Sequence, residues 1–279
     1  MEASVSSPLQ RLLRRLNVEA VETDVFVGHP GQGEGALFGG LVAAQAAVAA
    51  GRSAPERQLH SLHGYFMRPG RHNLPIRFTV DRLRDGRTFA TRQVVAQQAG
   101  EPIFTLAASF TRPEEGISHQ DMMPDAPPPD GLPDWEDLRA QLLGDPAKRR
   151  PDGPIEVRVC DPEPAEAGAP MPPTRMVWLR PRGPLPADPL LHTALLVFAT
   201  DRTLLRTAAR PYGANWGARV GASLDHAVWL HRPPRFDDWL LYASQSPAAH
   251  AARALVIGAM YRRDGIRIVT VAQEGLLRM

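Results

Sequence analysis

The sequence predicts an α+β protein made of two tandem antiparallel sheets, each wrapping one helix, and three observations predict it. First, landmarks recur at nearly one spacing. Arg68-Pro69 returns as Arg232-Pro233 after 164 residues, and the turn residue Gly100 returns as Gly265 after 165, which marks two copies of one domain. Second, each half reads as a helix and then a run of strands joined by tight glycine turns. Third, a proline-dense stretch that contains Pro127-Pro128-Pro129 and ends at Pro172-Pro173 separates the halves.

The elements follow in chain order. Leu9, Leu12, Leu13 and Leu16 recur at helical spacing, so a short amphipathic helix opens the chain and packs on the body. The helix of the first half runs from Phe38 to Ala50, is rich in alanine and stops at Gly51. Strands are expected over 58–67, 75–84, 87–98 and 102–112, with turns at Asp85-Gly86 and Ala99-Gly100. Proline density excludes regular central strands over 113–173, although Trp135 to Leu143 suits a short helix. In the second half a helix runs from Pro189 to about Leu205. Strands follow over 221–231, 238–246, 249–262 and 266–277, with a hairpin turn at Asp264-Gly265. The expected domains are 1–112 and 155–279, the second opening on Glu156-Val157-Arg158-Val159, with a linker over 113–154.

Composition narrows the function. A 279-residue chain with 43% hydrophobic and 22% charged residues can bury a sizeable core. A net charge of +2 gives no reason to expect a nucleic-acid partner. Lys148 is the single lysine, so the basic character comes from arginine, whose planar fork suits phosphate. The single cysteine, Cys160, rules out an intrachain disulfide, and no histidine stands near it to make it a nucleophile. No apolar run reaches the length of a membrane span. Arg11, Arg14 and Arg15 break up the N-terminal apolar residues, and the chain ends Leu-Leu-Arg-Met, so a cytoplasmic location is expected. There is no Cys-x-x-Cys, His-Glu-x-x-His or P-loop pattern, so neither metal nor cofactor is expected. Gly31-Gln32-Gly33-Glu34-Gly35 fails the dinucleotide-loop spacing and reads as a loop before the helix.

Several segments stand in one family's order: Leu37-Phe38-Gly39-Gly40, His60-Ser61-Leu62-His63-Gly64-Tyr65-Phe66-Met67-Arg68-Pro69-Gly70, Leu83-Arg84-Asp85-Gly86-Arg87-Thr88-Phe89, Ala199-Thr200-Asp201, Ser223-Leu224-Asp225-His226 and Gln273-Glu274-Gly275. Over nearly its whole length the chain resembles the type II acyl-CoA thioesterases, whose fold is a double hotdog. The resemblance implies hydrolysis of acyl-CoA to free acid and coenzyme A, the latter as leaving group. It carries the family's acidic, hydroxyl and glutamine positions onto Asp201, Ser223 and Gln273. The family usually has threonine where Ser223 stands; the hydroxyl is kept and a stiffening methyl is lost.

Those three side chains suit thioester hydrolysis without an acyl-enzyme. A carboxylate takes a proton from water, and a hydroxyl and an amide hold the water in place. Backbone N–H groups at Gly39 and Gly40, opening the first helix, are expected to bind the carbonyl oxygen. His60 is a further candidate at the substrate, since imidazole titrates near neutral pH. The repeat offsets carry Ser223 to Leu59 and Gln273 to Ala108, so one site per chain is expected. Ser223, Asp225 and His226 imitate a serine triad, but strand alternation puts His226 on the face opposite Ser223 and no Gly-x-Ser-x-Gly elbow surrounds the serine. The rival function is a non-catalytic binder of acyl-CoA or acyl-carrier protein. Exposed sheet edges favour a homo-oligomer.

Overall fold

The computed structural model of the protein describes residues 6–161, 169–213 and 221–278. Helix α1 (Pro8–Leu16) and strands β1 (Glu19–Glu22) and β2 (Val25–Gly28) precede α2 (Gly39–Arg52). Strands β3 (Gln58–Phe66), β4 (Ile76–Asp85), β5 (Phe89–Gln98) and β6 (Glu101–Thr111) complete the first half. A short helix α3 (Trp135–Leu142) lies in the connection. The second half comprises β7 (Ile155–Val159), β8 (Thr174–Pro181), α4 (Pro189–Thr200), α5 (Leu204–Ala209), β9 (Asp225–Leu230), β10 (Leu240–His250), β11 (Arg253–Arg262) and β12 (Arg267–Leu276).

The two expected sheets are joined into one. Strand order runs β1-β2-β4-β5-β6-β3-β9-β12-β11-β10-β8-β7, and the junction is the antiparallel pair β3–β9, with Tyr65 opposite Asp225 and Ser61 opposite Trp229. Read from its two ends the order is the same six-strand pattern, so an internal pseudo-twofold axis passes through that junction. This symmetry is the structural form of the repeat in the sequence.

Helices α2 and α4 lie side by side in the hollow of the curved sheet. Both are apolar on every side, as fully buried helices must be: Gly40 to Ala50 and Thr193 to Thr200 are buried throughout. They run antiparallel and close together. A Cβ on Gly40 would stand 2.8 Å from the Phe198 carbonyl oxygen, and one on Gly51 would stand 2.5 Å from Leu190 Cδ1. Glycine at these two points permits the approach. The N-terminus of α2 thereby meets the C-terminus of α4. Helix α1 is closed by a capping box between Ser7 and Gln10 and buries Leu9, Leu12 and Leu16 on this pair.

Three differences from the sequence reading have local causes. Strands β1, β2 and β8 were not anticipated. Every β1 residue is exposed, so it shows no apolar alternation, and β8 directly follows a proline cluster. The β10–β11 hairpin turns on Ala251 and Ala252, with φ of 49° and 59°, so no glycine announces it. The second helix breaks at Asp201, and β9 starts only at Asp225; Ser223 makes just an isolated bridge to Gly275.

Candidate active site

The break after α4 places Asp201 where two helix ends meet. Asp201 is the C-cap of α4, at the negative end of that helix's dipole, which disfavours a negative charge. Opposing this, its Oδ2 accepts the Gly40 N–H at 2.6 Å, from the first turn of α2. Its Oδ1 accepts from Gln273 Nε2 at 3.0 Å and from the Ser223 hydroxyl at 3.4 Å. Gln273 Nε2 also donates to Ser223 Oγ at 2.5 Å. Burial pushes the Asp201 carboxyl above the usual carboxylate range, against the opposite pull of His226, Gln273, Gly40 and Ser223.

Asp201, Ser223 and Gln273, from a helix end, a segment before a strand and a strand, thus converge on one point. Behind them lies a second layer. His226 is fully buried, its Nδ1 2.8 Å from Gln273 Oε1 and its Nε2 2.8 Å from Thr200 Oγ1. Burial pushes the His226 imidazole below its ordinary value, although Asp201 pulls the other way. The Tyr242 hydroxyl donates to the Thr200 carbonyl at 2.8 Å.

In front of the trio opens a cavity of about 630 Å³, lined by Phe38, Gly39, Phe66, Leu205, Ser223 and Leu224 among others, within the usual size range of ligand sites. Arg68, Arg202 and Arg206 also line it.

The other expected site residues are placed differently. The Gly40 N–H is committed to Asp201 and not to a substrate carbonyl. Gly39 N–H stays among the helix-terminal donors that no preceding carbonyl satisfies, and a Cβ there would lie 2.9 Å from the Phe66 ring and 3.1 Å from Asp201 Oδ2. His60 is not brought to the trio. It lies six residues along β3 from Phe66, roughly 20 Å, where its Nε2 meets Ser109 Oγ at 2.8 Å and its ring packs edge-on against Phe89. Burial pushes the Cys160 thiol up to about 12, the state of an inert thiol.

Thr200 and His226 are what sequence reasoning missed. Alternation was carried across Ser223 to His226, but the strand starts only at Asp225, so the rule does not hold there. Ser223 and His226 both reach Gln273, while Asp225 turns to His63 at 3.1 Å and the Glu274 N–H at 2.6 Å. The signal was present nonetheless: His226 shares the parity of the buried Val228 and Leu230, where an imidazole needs partners.

The pseudo-twofold mate of the site has different chemistry. The mate of Asp201 is the C-cap Ser53, and those of Ser223 and Gln273 are Leu59 and Ala108. Arg92, opposite Ala108 on β5, fills the space. Its buried guanidinium donates to Ser53 Oγ at 2.8 Å, Ser53 O at 3.0 Å and Asp85 Oδ1 at 2.6 Å. A larger groove of about 840 Å³ opens there, between Leu59, Phe110 and Leu190, but carries no such trio. Among the described residues no cluster of His, Cys, Asp and Glu is suited to a metal ion, and no helix is long and apolar enough to cross a membrane.

Fold and site define a double-hotdog protein with, among the described residues, one centre of carboxylate, hydroxyl and amide. The acyl-CoA thioesterase family matches residues 150–276, and the acyl-CoA thioesterase N-terminal domain matches residues 28–111. Human acyl-coenzyme A thioesterase 8 is 39% identical over 95% of this chain and 88% of its own length. Acyl-CoA thioesterase 2 of Haemophilus influenzae is 35% identical over 98% and 99%. The crystal structure of the acyl-CoA thioesterase II TesB2 from Mycobacterium marinum superposes with a TM-score of 0.79 at 40% identity, covering 96% of this chain and 98% of that one. The chain belongs to the acyl-CoA thioesterase family.

Proposed function

We propose that the protein hydrolyses acyl-CoA to a free acid and coenzyme A by direct attack of water activated at Asp201, Ser223 and Gln273. The observation that carries this reading is the convergence of carboxylate, hydroxyl and amide beside an apolar cavity with arginines on its wall. The Ser223–Asp201 contact, at 3.4 Å, is the longest in the trio and the one a water replaces at least cost, donating to the carboxylate and accepting from the hydroxyl, while the Gln273 amide holds both of those groups in place. As the water oxygen bonds to the thioester carbon, its proton passes to Asp201. The tetrahedral oxyanion gains from the N-terminal dipole of α2 and from the Gly39 N–H, the first-turn donor left over once Gly40 bonds Asp201 and Leu41 bonds the Phe38 carbonyl. The carbon–sulfur bond then breaks, and the departing thiolate recovers the proton from Asp201. A raised carboxyl pKa suits both halves of this exchange.

The apolar residues of the cavity suit an acyl chain, and Arg68, Arg202 and Arg206 suit the phosphates of coenzyme A. The same reading makes 1–112 and 155–279 the two hotdog domains and 113–154 their linker. It also includes a cytoplasmic location and a homo-oligomer, the assembly supported by the large exposed side chains of Tyr65 on β3 and Trp229 on β9; light scattering of the purified chain tests the assembly. The test of function is thiol release from short, medium and long acyl-CoAs. Turnover with at least one class is the expected result. Tight binding without release would refute hydrolysis in favour of an acyl-CoA-binding protein.

A further inference from the structure

The buried imidazole of His226 has no part in the water-activating step just described, yet its hydrogen bonds are fully specified. Gln273 uses both amide N–H groups, one on Asp201 Oδ1 and one on Ser223 Oγ. Its Oε1 therefore faces His226, and an amide oxygen only accepts. The atom 2.8 Å away is Nδ1, so Nδ1 carries a proton. Burial favours the neutral ring, which leaves Nε2 as a bare lone pair, 2.8 Å from Thr200 Oγ1.

The Thr200 hydroxyl has one proton and two acceptors in reach, His226 Nε2 and the Val197 carbonyl, each at 2.8 Å. A carbonyl tolerates partial satisfaction better than other buried polar groups, so the proton goes to the imidazole. The opposite tautomer would set a lone pair of Nδ1 against Oε1. Gln273 would then flip, turning its oxygen towards the Asp201 carboxylate and removing both donors from the site.

We infer that Thr200 and His226 form a one-way donor relay, Thr200 hydroxyl to His226 Nε2 and His226 Nδ1–H to Gln273 Oε1, that locks the Gln273 amide with both N–H groups aimed at Asp201 and Ser223. Both are positioning residues, since neither reaches the cavity. The inference rests on the proposed function for its kinetic consequence but not for its geometry.

Two measurements test it. In the intact protein carrying 15N-labelled histidine, with the His226 signals assigned by their absence from His226→Asn, the spectrum at pH 7–8 is expected to show Nδ1 protonated and Nε2 bare. A ring protonated at Nε2, alone or together with Nδ1, overturns the relay, whether or not the protein turns over a thioester. In steady state, Thr200→Val keeps the volume and removes the hydroxyl; kcat is expected to fall about tenfold, in line with one buried hydrogen bond, with KM within about twofold. Thr200→Ser restores the hydroxyl and is expected to restore kcat. Equal kcat for the valine, serine and parent proteins, all folded by thermal melt, overturns the inference.

Discussion

Replacing Asp201 by asparagine separates charge from shape. The carboxylate receives three donors, at 2.6, 3.0 and 3.4 Å. Asparagine offers one oxygen and one NH2, so whichever way it turns, a donor faces a donor: Gly40 N–H on one side, or Gln273 and Ser223 on the other. Losing one charge-assisted hydrogen bond costs about 2 kcal/mol, partly offset because a buried charge disappears. For a chain of this size that lowers Tm by no more than about 8 °C, leaving the protein folded at 25 °C. The kinetic loss is larger. A positioned general base contributes about 100-fold to 10,000-fold, or about 3–5 kcal/mol, and the remaining hydroxyl and amide have no proton-accepting charge to replace it. Thiol release by Asp201→Asn should therefore fall at least about 100-fold. A folded Asp201→Asn protein with kcat/KM within about threefold of the parent would refute the water-activation argument.

Other perturbations test separate parts of the structure. Because only the ionised Asp201 accepts a proton and burial raises its pKa, kcat/KM should fall on acidification with an apparent pKa above 3.8; a profile flat down to that value contradicts this. Stability should also drop as pH falls below about 6.5, because burial depresses His226, His60 and His231 in the fold and the unfolded chain then binds more protons; thermal melts between pH 7 and 5 measure it. Arg92→Met should cost about 2 kcal/mol of stability by leaving the buried Ser53 carbonyl without its donor, yet leave kcat within about twofold, because Ser53 caps the end of α2 about 20 Å from Gly40; an equal loss of activity at full stability would be the contrary result. Gly39→Ala should leave Tm within a few degrees, alanine being the better helix former, but lower kcat about tenfold by pressing on Phe66 and Asp201.

The legibility of the molecule followed the physics of each element. Helices α2 and α4 and the strands β3 to β6 and β9 to β12 were readable from apolar runs and, at most of their turns, glycine, and the 164- and 165-residue offsets exposed the symmetry. Strand β1 was not, since an edge strand with every residue exposed carries no periodic pattern. Nor was the β10–β11 turn, where two alanines adopt a left-handed backbone that sequence assigns to glycine. That β3 and β9 fuse two sheets into one depends on side-to-side pairing between residues some 160 positions apart, such as Tyr65 and Asp225. At the site, Asp201, Ser223 and Gln273 came from resemblance to a family. The hydrogen bond from Gly40 to Asp201 was not foreseen, because it joins the ends of two helices whose antiparallel contact only the folded chain reveals.

That contact makes the centre a composite of both halves: Gly40 belongs to one and Asp201 to the other. Residues 113–117, all exposed and outside regular structure, supply none of its atoms. Cleavage there would yield two fragments that are each silent alone, so turnover on mixing would count reassembled molecules, and the dependence of rate on fragment concentration would measure how strongly the β3–β9 seam holds without a tether.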